Sequence, residues 1–77
     1  MDRSAFLMKL TETLELDKKL NEDTNLKNLD DWDSMTEMIT VAFVNEHFKT
    51  NLKVTDLSVV TTVGSLMELI GVENFVN

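Results

Sequence analysis

The chain has 77 residues, no cysteine, one histidine, and 14 acidic against 7 basic side chains, which gives a formal charge of −7. This length suits one small domain, and the residue content excludes disulfide scaffolds, thiol nucleophiles and Cys/His zinc sites. The negative charge disfavours nucleic acid and anionic membranes as partners and favours proteins with basic patches.

The composition predicts a helical fold, since proline is absent and 43% of the residues are apolar. The first predicted element is an amphipathic helix from Ser4 to Leu16. Its apolar positions recur at helical spacing: Phe6, Leu7, Leu10 and Leu14. Residues 17–33 are mostly polar and predict a long connection, of a kind that tends to be functional. Three leucines are expected to hold it against the core: Leu20, Leu26 and Leu29.

The second predicted helix starts at Ser34 and ends near Phe48 or Lys49. Residues 34–37, Ser-Met-Thr-Glu, match the S-x-x-E capping box, in which both side chains satisfy backbone N–H groups. Apolar residues lie on two sides of this helix, so a second contact with an acyl ligand or a partner is expected. One side consists of Met38, Val41, Val44 and Phe48, and much of the other consists of Met35, Ile39, Ala42 and Phe43.

The rest of the chain predicts an extended connection, a short turn and a last helix. Thr55 or Asp56 is expected to cap the turn, which ends at Val60. Thr62 is the expected N-cap of the last helix, which ends at Gly71, and residues 72–77 are expected to fray or add a turn. Together the elements predict a single all-α domain, residues 1–77, with three longer helices, one short helix and a long loop between the first two helices.

The chain offers no catalytic pair of its own. Ser34 and His47 lie thirteen residues apart on one predicted helix, which is roughly 20 Å at 1.5 Å per residue. His47 is expected to be a helix C-terminal residue, and Asp30, Asp31 and Asp33 fit the start of a helix. EF-hand and glycine-rich phosphate motifs are absent, so neither an enzyme nor a metal site is predicted. On these residues alone, the simplest interpretation of Ser34 is an N-cap.

Asp33-Ser34-Met35 opens a helix after a long leucine-anchored loop in an acidic chain. It resembles the Asp-Ser-Leu attachment motif of acyl carrier proteins. Phe48 at the end of the second helix and Thr61-Thr62-Val63 at the start of the last extend this resemblance over nearly the whole chain. The resemblance implies an acyl-carrier-like bundle in which a phosphopantetheinyl transferase moves 4'-phosphopantetheine from coenzyme A onto Ser34, covalently.

The resemblance also implies a function. The arm would carry acyl intermediates as thioesters and present them to enzymes of fatty-acid or specialised lipid and secondary-metabolite biosynthesis, while the carrier itself catalyses nothing. Asp33 and Met35 would flank the attachment site. The implied docking residues on the second helix are Glu37, Met38, Ile39 and Phe43. The implied partners are the transferase and acyl- or aminoacyl-loading and acyl-processing enzymes with basic or apolar docking patches.

Several residues depart from the family pattern. Trp32 stands where a small residue is common, Met35 replaces leucine, and only Glu37 and Glu46 are acidic in the second helix. These departures favour a specialised free-standing carrier, dedicated to one acyl or aminoacyl pathway. Aliphatic residues are expected to shelter its cargo: Leu7, Met38, Val41, Val44, Leu66 and Ile70.

Two other functions remain open. One is an aminoacyl or peptidyl carrier, and the other is an unmodified acidic module whose second helix binds a protein partner. The chain start lacks the apolar run of a signal peptide, and no segment approaches the roughly 20 apolar residues that span a bilayer. A monomeric cytoplasmic protein without membrane insertion or nucleic-acid binding is therefore expected.

Overall fold

The computed structural model describes residues 1–30 and 32–76; Asp31 and Asn77 lie outside the described residues. The described chain contains three α-helices, α1 (Arg3–Thr13), α2 (Ser34–Phe48) and α3 (Val63–Ile70). Three 3₁₀ helices lie between and after them: Leu26–Asn28, Val54–Val59 and Val72–Asn74. No strand occurs in these residues, so the predicted all-α bundle with a long first connection is confirmed. None of the described helices is long and apolar enough to cross a membrane.

Helix α1 is shorter than predicted. It begins at Arg3, where the Asp2 carboxylate accepts a hydrogen bond of 2.7 Å from the Ser4 N–H. It ends at Thr13, because the backbone turns at Glu15 with a φ of 54°. This left-handed conformation interrupts the helix, so Leu16 belongs to the connection and not to α1.

The long connection is tied to the start of α3 by three backbone hydrogen bonds. They run from Leu26 N to Thr61 O (2.8 Å), from Val63 N to Thr24 O (3.0 Å) and from Gly64 N to Glu22 O (2.8 Å). A Cβ atom at Gly64 would lie 3.1 Å from the Glu22 carbonyl oxygen, so glycine permits this close approach. Leu20 and Leu26 are buried, and Leu29 packs partly buried against the core. The predicted leucine anchors are therefore confirmed.

Helix α2 begins at Ser34 and ends at Phe48, as predicted. The chain leaves α2 through Lys49, which has a φ of 56° and donates its N–H to the Asn45 carbonyl oxygen at 3.0 Å. The Asn45 amide then bonds both backbone groups of Leu52, at 3.0 and 2.9 Å. These bonds fix the extended connection that follows α2.

The last helix has a reciprocal side-chain cap, whereas one side-chain hydrogen bond closes the start of the short turn. Lys53, and not Thr55 or Asp56, caps Val54–Val59, because Asp56 stands at the third helical position and accepts the Lys53 N–H at 2.8 Å. Thr62 caps α3 as predicted, with its hydroxyl accepting the Ser65 N–H at 3.1 Å. Gly71 closes α3 at a φ of 114°.

The core is centred on four phenylalanines. The Phe6 ring lies 5.8, 5.9 and 5.1 Å from the rings of Phe43, Phe48 and Phe75, respectively. Phe75 comes from the tail, which adds the turn Val72–Asn74 and bonds the chain start through Val76 N to Met1 O at 2.9 Å. The tail therefore joins both chain ends to one aromatic cluster.

The first prediction concerns this tail. Phe75→Ala should lower the free energy of unfolding by about 3–5 kcal/mol, because it removes a buried ring and leaves a cavity beside Phe6 and Phe48. Urea denaturation of the variant tests this. Val72→Ala, at a side chain that is 53% exposed, is the control and should change stability by less than about 0.5 kcal/mol. Equal effects of the two substitutions would contradict the role of Phe75 in the core.

Candidate functional site

The start of α2 is capped by Asp33. Its Oδ1 accepts hydrogen bonds of 2.9 Å from both the backbone N–H and the hydroxyl of Thr36, and its carbonyl oxygen accepts the Glu37 N–H at 3.0 Å. Asp33 has extended backbone angles, whereas Ser34 is the first helical residue. The predicted capping box from Ser34 to Glu37 is therefore wrong, because the aspartate one position earlier occupies the N-cap.

These hydrogen bonds also set the charge of Asp33. The bond from the Thr36 N–H, followed by that from the Thr36 hydroxyl, lowers the pKa of Asp33 below its ordinary value. Partial loss of hydration acts in the opposite direction and raises the pKa, and the Met35 N–H lowers it further. Asp33 is therefore ionised at neutral pH and carries a full negative charge beside Ser34.

The Ser34 side chain is exposed and unengaged. Its hydroxyl makes no hydrogen bond within residues 1–30 and 32–76. Because Asp33 supplies the cap, the interpretation of Ser34 as the N-cap is not supported. The structure instead presents a free hydroxyl group on the first turn of a fifteen-residue helix, next to the 68% exposed side chain of Met35.

Beyond Ser34, α2 presents an apolar outer face, which we define as Met35, Met38, Ile39 and Ala42. Met38 and Ile39 are 62% and 39% exposed, so these two of the four implied docking residues are accessible. Glu37 is partly exposed. Phe43, the fourth implied docking residue, is only 6% exposed and packs on Phe6; its assignment to the docking surface is wrong.

The expected shelter for cargo is only partly present. Val44, Leu66 and Ile70 are buried in the core, and Leu7 and Val41 pack partly buried against it. Met38 is largely exposed and cannot line an internal pocket. The helical spacing of apolar residues predicted Met38 to face the interior. This prediction is wrong because α2 is apolar on more than one side, and spacing alone does not show which side is buried.

His47 is far from Ser34. Both residues lie on α2, so their separation along the helix axis is roughly 20 Å. The His47 ring instead lies 4.5 Å from the Phe43 ring. Within the described ranges, no cluster of three or more His, Cys, Asp or Glu side chains is placed to hold a metal ion.

A cleft that sequence reasoning missed lies beside the segment that leads into α2. It has a volume of about 310 Å³ and is lined by Leu16, Asp17, Lys18, Leu29 and Asp30. The apolar spacing predicts that the first helix extends to Leu16, and a helix of that length does not indicate the proximity of Leu16 to Leu29. The early end of α1 at Thr13 brings the two ends of the long connection together.

Trp32 lies in the chain between this cleft and Ser34. Its backbone N–H donates to the Leu29 carbonyl oxygen at 3.1 Å, and its side chain packs partly buried against the core. The indole Nε1 atom is buried without a hydrogen-bond partner in the part of the chain that the structure describes.

Comparisons with protein-family models, curated proteins and solved structures gave no match. The site is thus defined by its own geometry.

The second prediction concerns the cap. Asp33→Ala should lower the melting temperature at neutral pH, because it removes the carboxylate that caps the first turn of α2. The folded pKa of Asp33 is lowered, so the stabilisation is complete above the unfolded pKa of about 3.9 and is lost as the pH falls through the folded pKa.

Melting curves of wild type and Asp33→Ala from neutral pH down to about pH 2 test this linkage. The difference in melting temperature should shrink below about pH 4. Asp23→Ala, at an exposed aspartate in the long connection, is the control and should show no such trend. A difference that persists unchanged at the lowest pH would contradict the ionised cap.

Proposed function

We propose that this chain is a carrier protein that holds acyl groups as thioesters on a 4'-phosphopantetheine arm attached to Ser34. The observation that carries the proposal is the exposed, unbonded hydroxyl of Ser34 at the start of α2, where Asp33 already supplies the cap. A serine needed as the cap would lose that role on modification. Here the hydroxyl can be modified without loss of the hydrogen bond that starts the helix.

The residues present fit the attached group. The hydroxyl of Ser34 would lose its proton and form a bond to the phosphorus that bears pantetheine, while the pyrophosphate link of coenzyme A breaks and the nucleotide part leaves. The N-terminal end of α2 favours a phosphate at this position. When attached, the arm supplies a flexible thiol for thioester formation. The chain itself would provide attachment and docking, and the chemistry on the cargo would belong to partner enzymes.

The surroundings of Ser34 suit docking by proteins with a basic rim and an apolar centre. Residues 30–48 contain five carboxylates and neither lysine nor arginine, which favours encounter with a positively charged surface. The outer face of α2 adds apolar area at the centre of this acidic segment. We infer that charge guides the approach of the transferase and the acyl-processing enzymes, and that apolar burial holds them.

An unmodified interaction module is the alternative that the outer face of α2 also supports. Exposed methionine and isoleucine side chains on one helix are a common way to bind a protein groove. That alternative needs α2 but makes no use of the Ser34 hydroxyl. Modification of Ser34 therefore separates the two functions.

The third prediction tests attachment. Incubation with a broad-specificity phosphopantetheinyl transferase, Mg²⁺ and coenzyme A should add one phosphopantetheine mass, and Ser34→Ala should abolish the addition. Ser4→Ala and Ser58→Ala, at two other exposed serines, are matched controls and should be modified normally. Intact-mass measurement reports the outcome. Well-folded protein that gains no mass, or that is modified elsewhere, would contradict carrier function.

The fourth prediction tests docking on the transferase. Ile39→Ala should weaken binding by about tenfold to a hundredfold if the side chain is fully buried in the complex, because complete burial of such a side chain contributes about 1.5–3 kcal/mol. Leu69→Ala is the matched control: Leu69 is 37% exposed on α3, against 39% for Ile39 on α2. Glu37→Gln should chiefly slow association, and its effect should fade with added salt.

Binding kinetics at low and high salt, recorded with a melting curve for each variant, distinguish these contributions. A stable Ile39→Ala protein that binds as tightly as wild type would contradict apolar docking. A larger loss from Glu37→Gln than from Ile39→Ala would indicate docking led by charge. Phe43→Ala is unsuited to this experiment, because Phe43 is buried and its truncation would first destabilise the core.

A further inference from the structure

The cleft between the two ends of the long connection has walls of mixed chemistry. Leu16 and Leu29 are half-buried and provide apolar surface, whereas Asp17, Lys18 and Asp30 are exposed and charged. Its volume of about 310 Å³ falls at the lower end of the range of small-molecule sites. The cleft therefore suits a compact amphipathic group better than a long acyl chain.

The charges in the cleft do not stabilise the fold through pairing. Asp17, Lys18 and Asp30 make no side-chain hydrogen bond or ion pair with any described residue. Elsewhere the chain does use such groups, since Arg3 pairs with Glu22 at 3.0 Å. Two carboxylates and one ammonium group thus remain free to bind a ligand.

The charged and apolar residues that line the cleft together fit one chemical class of ligand. Carboxylates accept hydrogen bonds from an ammonium group, a lysine donates to a carbonyl oxygen, and leucines pack against an apolar side chain. An aminoacyl group with an aliphatic side chain carries all three features. A simple acyl group lacks the ammonium and leaves Asp17 and Asp30 without a partner.

The cleft lies within reach of Ser34. Asp30 precedes Ser34 by four residues, so their Cα atoms are at most about 14 Å apart. A phosphopantetheine arm contains more bonds along its length than the backbone between these residues, and it can therefore place its thiol end at the cleft.

We infer that this cleft binds the aminoacyl group carried on the Ser34 arm, with Asp17 and Asp30 accepting its ammonium and Lys18 donating to its carbonyl oxygen. The inference rests on the proposed carrier function and deepens it by naming the class of cargo. Tethering raises the local concentration of the cargo, so an exposed cleft of modest depth is sufficient.

The test compares two cargoes that differ only in the ammonium group. The transferase loads the protein from coenzyme A analogues whose pantetheine end carries, through an amide, either a leucyl or a 4-methylpentanoyl group, and intact mass confirms loading. Amide ¹H–¹⁵N NMR spectra then report on the cleft. The leucyl form should shift the signals of residues 16–18, 29 and 30 relative to the 4-methylpentanoyl form. The doubly substituted Asp17→Asn, Asp30→Asn protein should lose these differences, whereas Asp23→Asn should keep them.

The outcomes separate this inference from the proposed function. Complete loading with identical spectra of the cleft residues would overturn the cleft assignment and leave carrier function intact. Failure of loading at Ser34 would overturn both. Free leucine amide should shift the same signals of the unmodified protein only at far higher concentration than the tethered group. Equal occupancy by the free amide would overturn the cargo assignment, because the site would then serve a free ligand.

Discussion

The hydrogen bonds between the long connection and the start of α3 are the constraint on which the rest of the bundle depends. The connection approaches α3 within direct backbone contact, from Glu22 to Leu26 on one side and from Thr61 to Gly64 on the other. A side chain larger than hydrogen at Gly64 would press on the Glu22 carbonyl oxygen. These bonds hold the first half of a polar segment that has few apolar side chains of its own. They fix residues 22–26 of the connection, which precede Asp33 and Ser34 at the start of α2.

At the start of α2, two different residues cap the helix and present an exposed hydroxyl group. Asp33 supplies the carboxylate that satisfies the first turn, and its lowered pKa shows that the folded state favours the ionised form. Ser34 supplies an exposed hydroxyl that the fold does not use. This separation distinguishes the site from an ordinary serine cap, and it is the observation that supports the proposed carrier function.

Elements with strong local signals were predictable from the sequence. The bounds of α2 and the Thr62 cap were predicted correctly, because polar caps and the ends of apolar patterns coincide there. The early end of α1 was not predicted. Leu14 and Leu16 extend an apolar pattern on both sides of Glu15, the residue whose backbone conformation ends the helix.

The candidate site was predictable in its position but not in its details. Ser34 and Asp33 are adjacent good N-caps, and only the geometry of the Thr36 bonds distinguishes them. The burial of Phe43 depends on Phe6, a residue of another helix, and no pattern within α2 encodes that contact. The cleft likewise depends on bringing together Leu16 and Leu29, which are distant in sequence.

The distribution of charge gives this small protein its surface character. Among the described residues the one ion pair joins Arg3 and Glu22, and both side chains are partly exposed; such pairs contribute little to stability. The fold instead depends on aliphatic and aromatic burial, on caps and on backbone pairing. Asp2, Asp33 and Asp56 accept capping hydrogen bonds, whereas most other carboxylates of the described residues form no ion pair. The sequence places five carboxylates and no lysine or arginine within residues 30–48, and under the proposed function their negative field would attract a basic partner.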